Sequence, residues 1–395
     1  MEQVFPLRGC VQHYDWGGFT FIRELTGQAE ADGLPWAEWW MGDHPKGPSA
    51  IWWEGRWQPL NEVMAAHAGQ LLGQRVAARF QGRLPFLLKV LDVCSMLSIQ
   101  VHPNKRQAEE GFDGEEQAGL PAEAPNRNYR DRNHKPESMV ALTPFWLLHG
   151  FRSEEEVAAS LDEIPGWQSL KPVLAETGLP GLYAYIMRAP QARINDLLAP
   201  LHDFLQSAAA FPESSPHHWA QLAFEAYTRE GQFDRGIFSI YWFNLVFLQP
   251  GQGIFQDAGI PHAYLRGANM ELMANSDNVL RGGLTPKHID TEELLDKVLV
   301  KPVVPQLIEP LAEADGRRHY PAPVDDYRFD RLCLAADEAS SLRMSGPAVG
   351  FVYSGSARVN GQLYPRGSSF LAAAGSVLSI QAAQTGALDL YLASC

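Results

Sequence analysis

The order of textures along the chain constrains its fold most, because strand-like sequence lies on both sides of a helical block. Residues 1–149 carry short apolar and aromatic runs broken by Gly and Pro, the pattern of short strands and tight turns. One stretch there, NEVMAAHAGQLLGQRVAARF at 61–80, repeats its apolar residues at helical spacing. The texture changes after Phe151. Ser153 followed by Glu156 has the spacing of a capping box, and helical periodicity continues to about Leu170. Ser215 and Pro216 open another helix, which runs through WAQLAFEAYTRE and stops at Gly231. From Ile237 the β texture returns, and IFSIYWFNLVFLQPGQGIF holds a long apolar run suited to a buried strand.

These textures predict a mainly β protein with an α-helical insertion. Residues 1–149 and 236–307 read as two parts of one β domain, residues 150–235 as the insertion, and residues 308–395 as a further β domain. A double-sheet jelly roll can accept such an insertion in a loop. In the last segment, GFVYSGSARVNGQLYPRGSSFLAAAGSVLSI alternates strands with glycine turns, and Asn360-Gly361 is a hairpin signal. No histidine follows His319, so this segment lacks imidazoles for a metal and is assigned a packing role.

Chemistry concentrates in three short segments. In SIQVHPNK, residues 98–105, Gln100 and His102 sit two apart in a strand-like run, so both side chains leave one face. NHKPE ends in Glu137, and GIPHAYL places His262 directly after a proline. Together they offer one carboxylate, two imidazoles and one amide, a set that suits zinc or a similar divalent ion, although Gln is an uncommon zinc ligand. With Glu137 the one anion among them, a bound dication keeps about one positive charge, which favours a Lewis acid over a structural clip. His13, His44, His67, His149, His202, His217, His218 and His319 read as surface or hydrogen-bonded residues.

Composition narrows the partners. The net charge of −14, with no basic stripe, argues against nucleic acid and anionic membrane. An anionic substrate would therefore depend on local cations and the metal. No stretch approaches the roughly 20 apolar residues of a membrane span, and MEQVFPLRGC lacks a signal-peptide layout, so a cytoplasmic protein is expected. Cys10, Cys94, Cys333 and Cys395 are far apart and read as reduced thiols.

The strings LPFLLKVLDVCSMLSIQVHPNK (84–105), NHKPESMVALTPF (133–145) and GIPHAYLRGANMELMANSDNVLRGGLTPKHID (259–290) resemble the signature segments of type I mannose-6-phosphate isomerases. HYDWGG (13–18) and WWMGDHPKGPS (39–49) match in order and spacing, so the resemblance spans about residues 5–300. It implies cupin jelly-roll domains, one zinc ion per chain held by Gln100, His102, Glu137 and His262, and interconversion of mannose 6-phosphate with fructose 6-phosphate. By the same resemblance Ser98 and Lys287 contact the phosphate. The C-terminal segment resembles a second cupin without metal ligands.

Aldose–ketose conversion moves protons through an enediol, so it needs a charge stabiliser and an acid–base group. Arg281 is expected to supply the first through its guanidinium fork; its structural alternative is a salt bridge closing a loop. Lys135, two residues before Glu137, suits proton transfer, with His134, Asp277 and Glu271 as competitors. Lys89, inside apolar LPFLLKVL, needs a partner and is expected to face the site and contact substrate. Trp16, Trp40, Trp52 and Trp53 take core or packing roles, Trp16 as support near the site. Gln256, Asp257 and the polar Ser138 after Glu137 depart from an apolar surround. Three other readings are an isomerase of a different aldose or aldose phosphate, a non-catalytic sugar-binding cupin, and a cupin oxygenase, which Gln100 disfavours. A monomer is expected, with a homodimer as the alternative, serving mannose use or nucleotide-sugar (GDP-mannose) supply.

Overall fold

The strand His262–Ala274 is the spine of the fold. Thirteen residues long, it pairs antiparallel with four other strands and so collects side chains from distant parts of the sequence. The computed structural model describes residues 3–28, 33–208, 210–384 and 386–395. Glu271 lies opposite Lys89 on Phe86–Val93, Met273 opposite Glu137 on Glu137–Ala141, and His262 opposite both Gln100 and His149. Directly opposed residues in an antiparallel pair share a face. This register carries the three chemistry-bearing segments into one ten-stranded sheet, completed toward its edge by Glu38–Met41 and Cys10–Gln12.

A second sheet has nine strands and a third has four. The nine-stranded sheet is built mainly from residues after 310, yet Val4–Arg8, Ala50–Trp53 and Arg56–Pro59 extend it, with Val4 opposite Ala372. The expected division between residues 307 and 308 therefore does not separate the sheets. Strand texture announces a strand but not its partner, and here the partner is more than 360 residues away. The Asn360-Gly361 turn closes the hairpin of Ser356–Val359 with Gln362–Pro365, both turn residues at positive φ.

The helical block forms as expected in its caps. Ser153 Oγ accepts from Glu156 N at 3.2 Å while Glu156 Oε2 accepts from Ser153 N at 3.0 Å, starting Glu154–Glu163. Ser215 caps Pro216–Tyr227. Three elements differ from expectation. The apolar run from Ile237 begins as a helix, Ile237–Trp242, and becomes strand at Phe243. All six helical residues are buried, with Phe238 and Trp242 packed on Trp167 at ring distances of 4.7 and 5.9 Å. With Ser239 its one small polar residue, this buried hexamer carries no period, so its packing partners decide its form. The 61–80 helix forms as Leu60–Arg79 but breaks at His67 and Gly73. A helix at Lys105–Gln117 arises in sequence read as β; its signal is Asn104 with Gln107, a capping box in the structure. Among the described residues no helix is long and apolar enough to cross a membrane.

Candidate active site

His102, Glu137 and His262 converge in the sheet interior, all buried, with one donor atom from each lying within 4.8 Å of the others. His102 Nδ1 lies 2.9 Å from Asn278 O, and His262 Nδ1 lies 3.0 Å from Ile260 O. A carbonyl oxygen can only accept, so each ring carries its proton on Nδ1 and turns an Nε2 lone pair inward. Those two Nε2 atoms find no hydrogen bond and face Glu137 Oε1 and Oε2, each at 3.4 Å. Lone pairs aimed at a carboxylate repel unless a cation stands among them. The donor set thus fits a divalent metal.

Electrostatics agree. Burial, with the Lys135 charge, pushes the His102 imidazole down to about 4, so it stays neutral at physiological pH. Burial works against ionising Glu137, but the Lys135 ammonium, 3.0 Å away, opposes it, and the carboxyl is held well below its usual range. Gln100, across from His262, lines the same cavity.

Against Glu137 and His262 lies a small cavity of about 100 Å³, and a larger one of about 750 Å³ shares part of its wall. Glu38, Lys89, Leu97, Gln100 and Lys135 belong to the walls of both. Lys89 has the partners its burial demands: its Nζ lies 3.2 Å from Glu271 Oε1 and 3.3 Å from Glu38 Oε2. Burial alone would lower its pKa, yet Glu38, Glu271 and Glu137 reverse that and keep it charged. Glu271 also accepts from Tyr264 OH at 2.9 Å. Burial, aided by Glu137, raises its carboxyl pKa against the pull of Lys89.

The acid–base candidates separate in space. Lys135 Nζ sits 3.0 Å from Glu137 Oε1 and faces both cavities. Asp277 lines the larger cavity with Lys46 at 2.9 Å and His44 at 3.5 Å; these outweigh burial and hold it well below the usual carboxylate range. His134 turns away to Asp326 at 2.9 Å and lies in neither wall. Its neighbour Lys135 takes the inward position because side chains alternate along an extended segment.

Ser98, Arg281 and Lys287 meet in the wall of the larger cavity. Arg281 sits opposite Gln100 on Leu280–Gly283 and, among the described residues, forms no ion pair, so the loop-closing bridge is absent. Trp16 and Trp40 line this cavity, with Trp16 stacked on Tyr14 at 5.7 Å; Trp52 and Trp53 lie elsewhere. Of the polar departures, Gln256 is buried across from Glu137, Asp257 is exposed, and Ser138 Oγ meets Tyr327 OH at 3.0 Å. Glu38 escaped notice in the sequence, and His44 was read only as a surface or hydrogen-bonded residue: a strand acid and a loop histidine carry no period or spacing that separates them from solvated residues.

Comparisons with known proteins match this geometry. The profile of the type I phosphomannose isomerase catalytic domain covers residues 4–154. Mannose-6-phosphate isomerase of Escherichia coli K12 is 37% identical over 394 residues, 95% of this chain and 96% of its own length. The chain belongs to the type I phosphomannose isomerase family. The human relative of that name is 35% identical over 323 residues, covering 76% of this chain and 74% of its own. Among solved structures, a zinc-bound mannose 6-phosphate isomerase superposes with a TM-score of 0.89 at 36% identity, covering 100% of this chain and 99% of its own. The Salmonella typhimurium enzyme bound to fructose 6-phosphate and zinc gives 0.88 at 36% identity with the same coverage. The cupin-type, mainly β fold expected of the chain is the fold of this family.

Proposed function

We propose that this chain is a zinc-dependent mannose-6-phosphate isomerase, interconverting mannose 6-phosphate and fructose 6-phosphate through an enediol. The observation that carries the reading is the convergence of two inward Nε2 lone pairs and one carboxylate beneath a cavity walled by Arg281 and Lys287. His102, Glu137 and His262 would hold the ion, with Gln100 beside them. When bound, zinc would supply Lewis acidity that polarises the sugar oxygens.

The chain's own residues do the rest. Arg281, a charge without a protein counterion among the described residues, stabilises the oxyanion side of the enediol or the phosphate. Lys135 is best placed to carry the proton, because it alone of the four acid–base candidates faces both cavities while touching a metal ligand. Asp277, held anionic, suits a fixed acceptor, and Glu271 is engaged by Lys89 and Tyr264. The Lys89 ammonium reaches the wall where sugar hydroxyls would lie.

The deciding experiment is a coupled assay of fructose 6-phosphate formation on chelator-stripped and zinc-reloaded protein, with His262→Ala in parallel. Activity lost on stripping, restored by zinc and absent from the variant supports the reading. A zinc-loaded protein that binds metal but leaves mannose 6-phosphate unchanged sinks it. Comparing free mannose with its phosphate tests the second reading, a sugar isomerase without the phosphate requirement; the cation-lined wall favours the phosphate. We further propose a cytoplasmic setting, supported by four free thiols, and a monomer kept apart from its copies by net charge −14. Partners among nucleic acids or membranes are not proposed. Mannose use and GDP-mannose supply are the metabolic settings proposed. The helical block at 150–235 is proposed as an insertion between two parts of the catalytic β domain.

A further inference from the structure

We propose that Arg130 is a specificity-determining residue, the third cation of a phosphate clamp formed with Arg281 and Lys287. The inference rests on the sugar-phosphate reading above. Arg130, Arg281, Lys287 and Ser98 all face the larger cavity, although Arg130 belongs to the loop before Glu137–Ala141 and the others to separate segments. Asn278 pins these segments together. Its Oδ1 accepts from Arg130 N at 2.6 Å, its Nδ2 donates to Asp131 O at 2.7 Å and Asn133 O at 2.8 Å, and it stands three residues before Arg281.

The Arg130 guanidinium is fixed and only partly used. Nη1 donates to Ala122 O at 2.6 Å and Nη2 to Ala124 O at 3.2 Å, which orients the plane and occupies two of its five donors. Its nearest acid among the described residues is Glu123 at 3.6 Å, a side chain 84% exposed. Arg127 makes the contrast: it lines the same cavity but is matched by Glu115 at 3.5 Å and Glu116 at 2.5 Å. Arg281 and Lys287 form no ion pair among the described residues. Burial and then the charge of Arg130 disfavour the cationic form of Arg281; burial, Arg281 and Arg130 do the same for Lys287. Three like charges held together in a chain of net charge −14 call for an anion of matching charge. A phosphate monoester, with about two negative charges and three acceptor oxygens, answers that need through charge-assisted hydrogen bonds. A sugar without phosphate would gain nothing from Arg130.

The test is steady-state kinetics and inorganic-phosphate inhibition of the zinc-loaded full chain and its Arg130→Gln variant. We expect KM for mannose 6-phosphate and the inhibition constant of phosphate each to rise about ten- to hundredfold, with a smaller fall in kcat. Arg130→Lys should recover part of both. A folded, zinc-replete Arg130→Gln protein with both constants within about twofold of wild type overturns the proposal. If Arg130→Gln does not fold, Glu123→Gln, on an exposed side chain, replaces it: removing the one nearby acid should tighten phosphate about two- to threefold, and no change counts against the clamp. Wild type that does not convert mannose 6-phosphate refutes the proposed reaction instead. Calorimetric binding of inorganic phosphate, lost in Arg130→Gln or retained, then decides the clamp separately.

Discussion

At the scale of residues, the site is a balance of buried charges, and single substitutions should upset it in computable directions. Lys89 stands between Glu38 and Glu271, both buried with it. Lys89→Met leaves two carboxylates without their cation, so we expect a loss of about 3–5 kcal/mol in urea unfolding. Adding Glu271→Gln should return part of it, and a single variant as stable as wild type would refute the arrangement. His149 offers a pH test. Burial above all pushes its pKa down to about 4 in the folded protein, against about 6.5 unfolded. Between those values the unfolded chain binds more protons, so stability is full above about pH 6.5 and falls as the pH drops toward 4. In chelator-stripped protein, the melting-temperature drop from pH 7 to pH 5 should be smaller in His149→Leu than in wild type; equal drops would exclude this role. The residues within the motifs were legible because spacing placed their side chains on one face. Glu38 and Arg130 were not, and His44 passed as an ordinary histidine although it lies in a motif, since their meaning comes from partners that only the folded chain supplies.

At the scale of elements, local signals held where chemistry is local and failed where packing decides. The Ser153–Glu156 cap is written in the sequence, and Ser153→Ala should cost about 0.5–2 kcal/mol, read by chemical denaturation. Ile237–Trp242 could not be told from strand because its one small polar residue, Ser239, sets no period and Trp167 fixes its conformation from seventy residues away. Gly283, at φ +128, ends the strand that carries Arg281. A Cβ there would run into the backbone of Gly236 at the start of that helix. Gly283→Ala should therefore lower stability by at least about 1–3 kcal/mol and raise KM by displacing Arg281. Unchanged stability and KM would mean that the contact yields without consequence.

At the scale of the whole molecule, the two ends of the chain share a sheet. Ser138 and Tyr327, His134 and Asp326, and Tyr353 and Leu142 add polar ties between the site-bearing sheet and the C-terminal segment. A protein cut after residue 307 would leave Val4–Arg8, Ala50–Trp53 and Arg56–Pro59 without the sheet they extend. We expect such a truncation to be aggregated or proteolytically labile and inactive, as judged by limited proteolysis; a stable, active fragment would overturn this view of the fold. Periodicity announced these strands, but no local pattern encodes a pairing across most of the chain. That pairing also sets a timetable. Val4 leaves the ribosome some 368 residues ahead of Ala372, the residue it pairs with. At about 5–20 residues per second the newborn first strand waits roughly 20–70 s for its mate. During that wait the edge that Val4–Arg8 will offer to Ser369–Ala372 stands unpaired, open to any other strand that reaches it first.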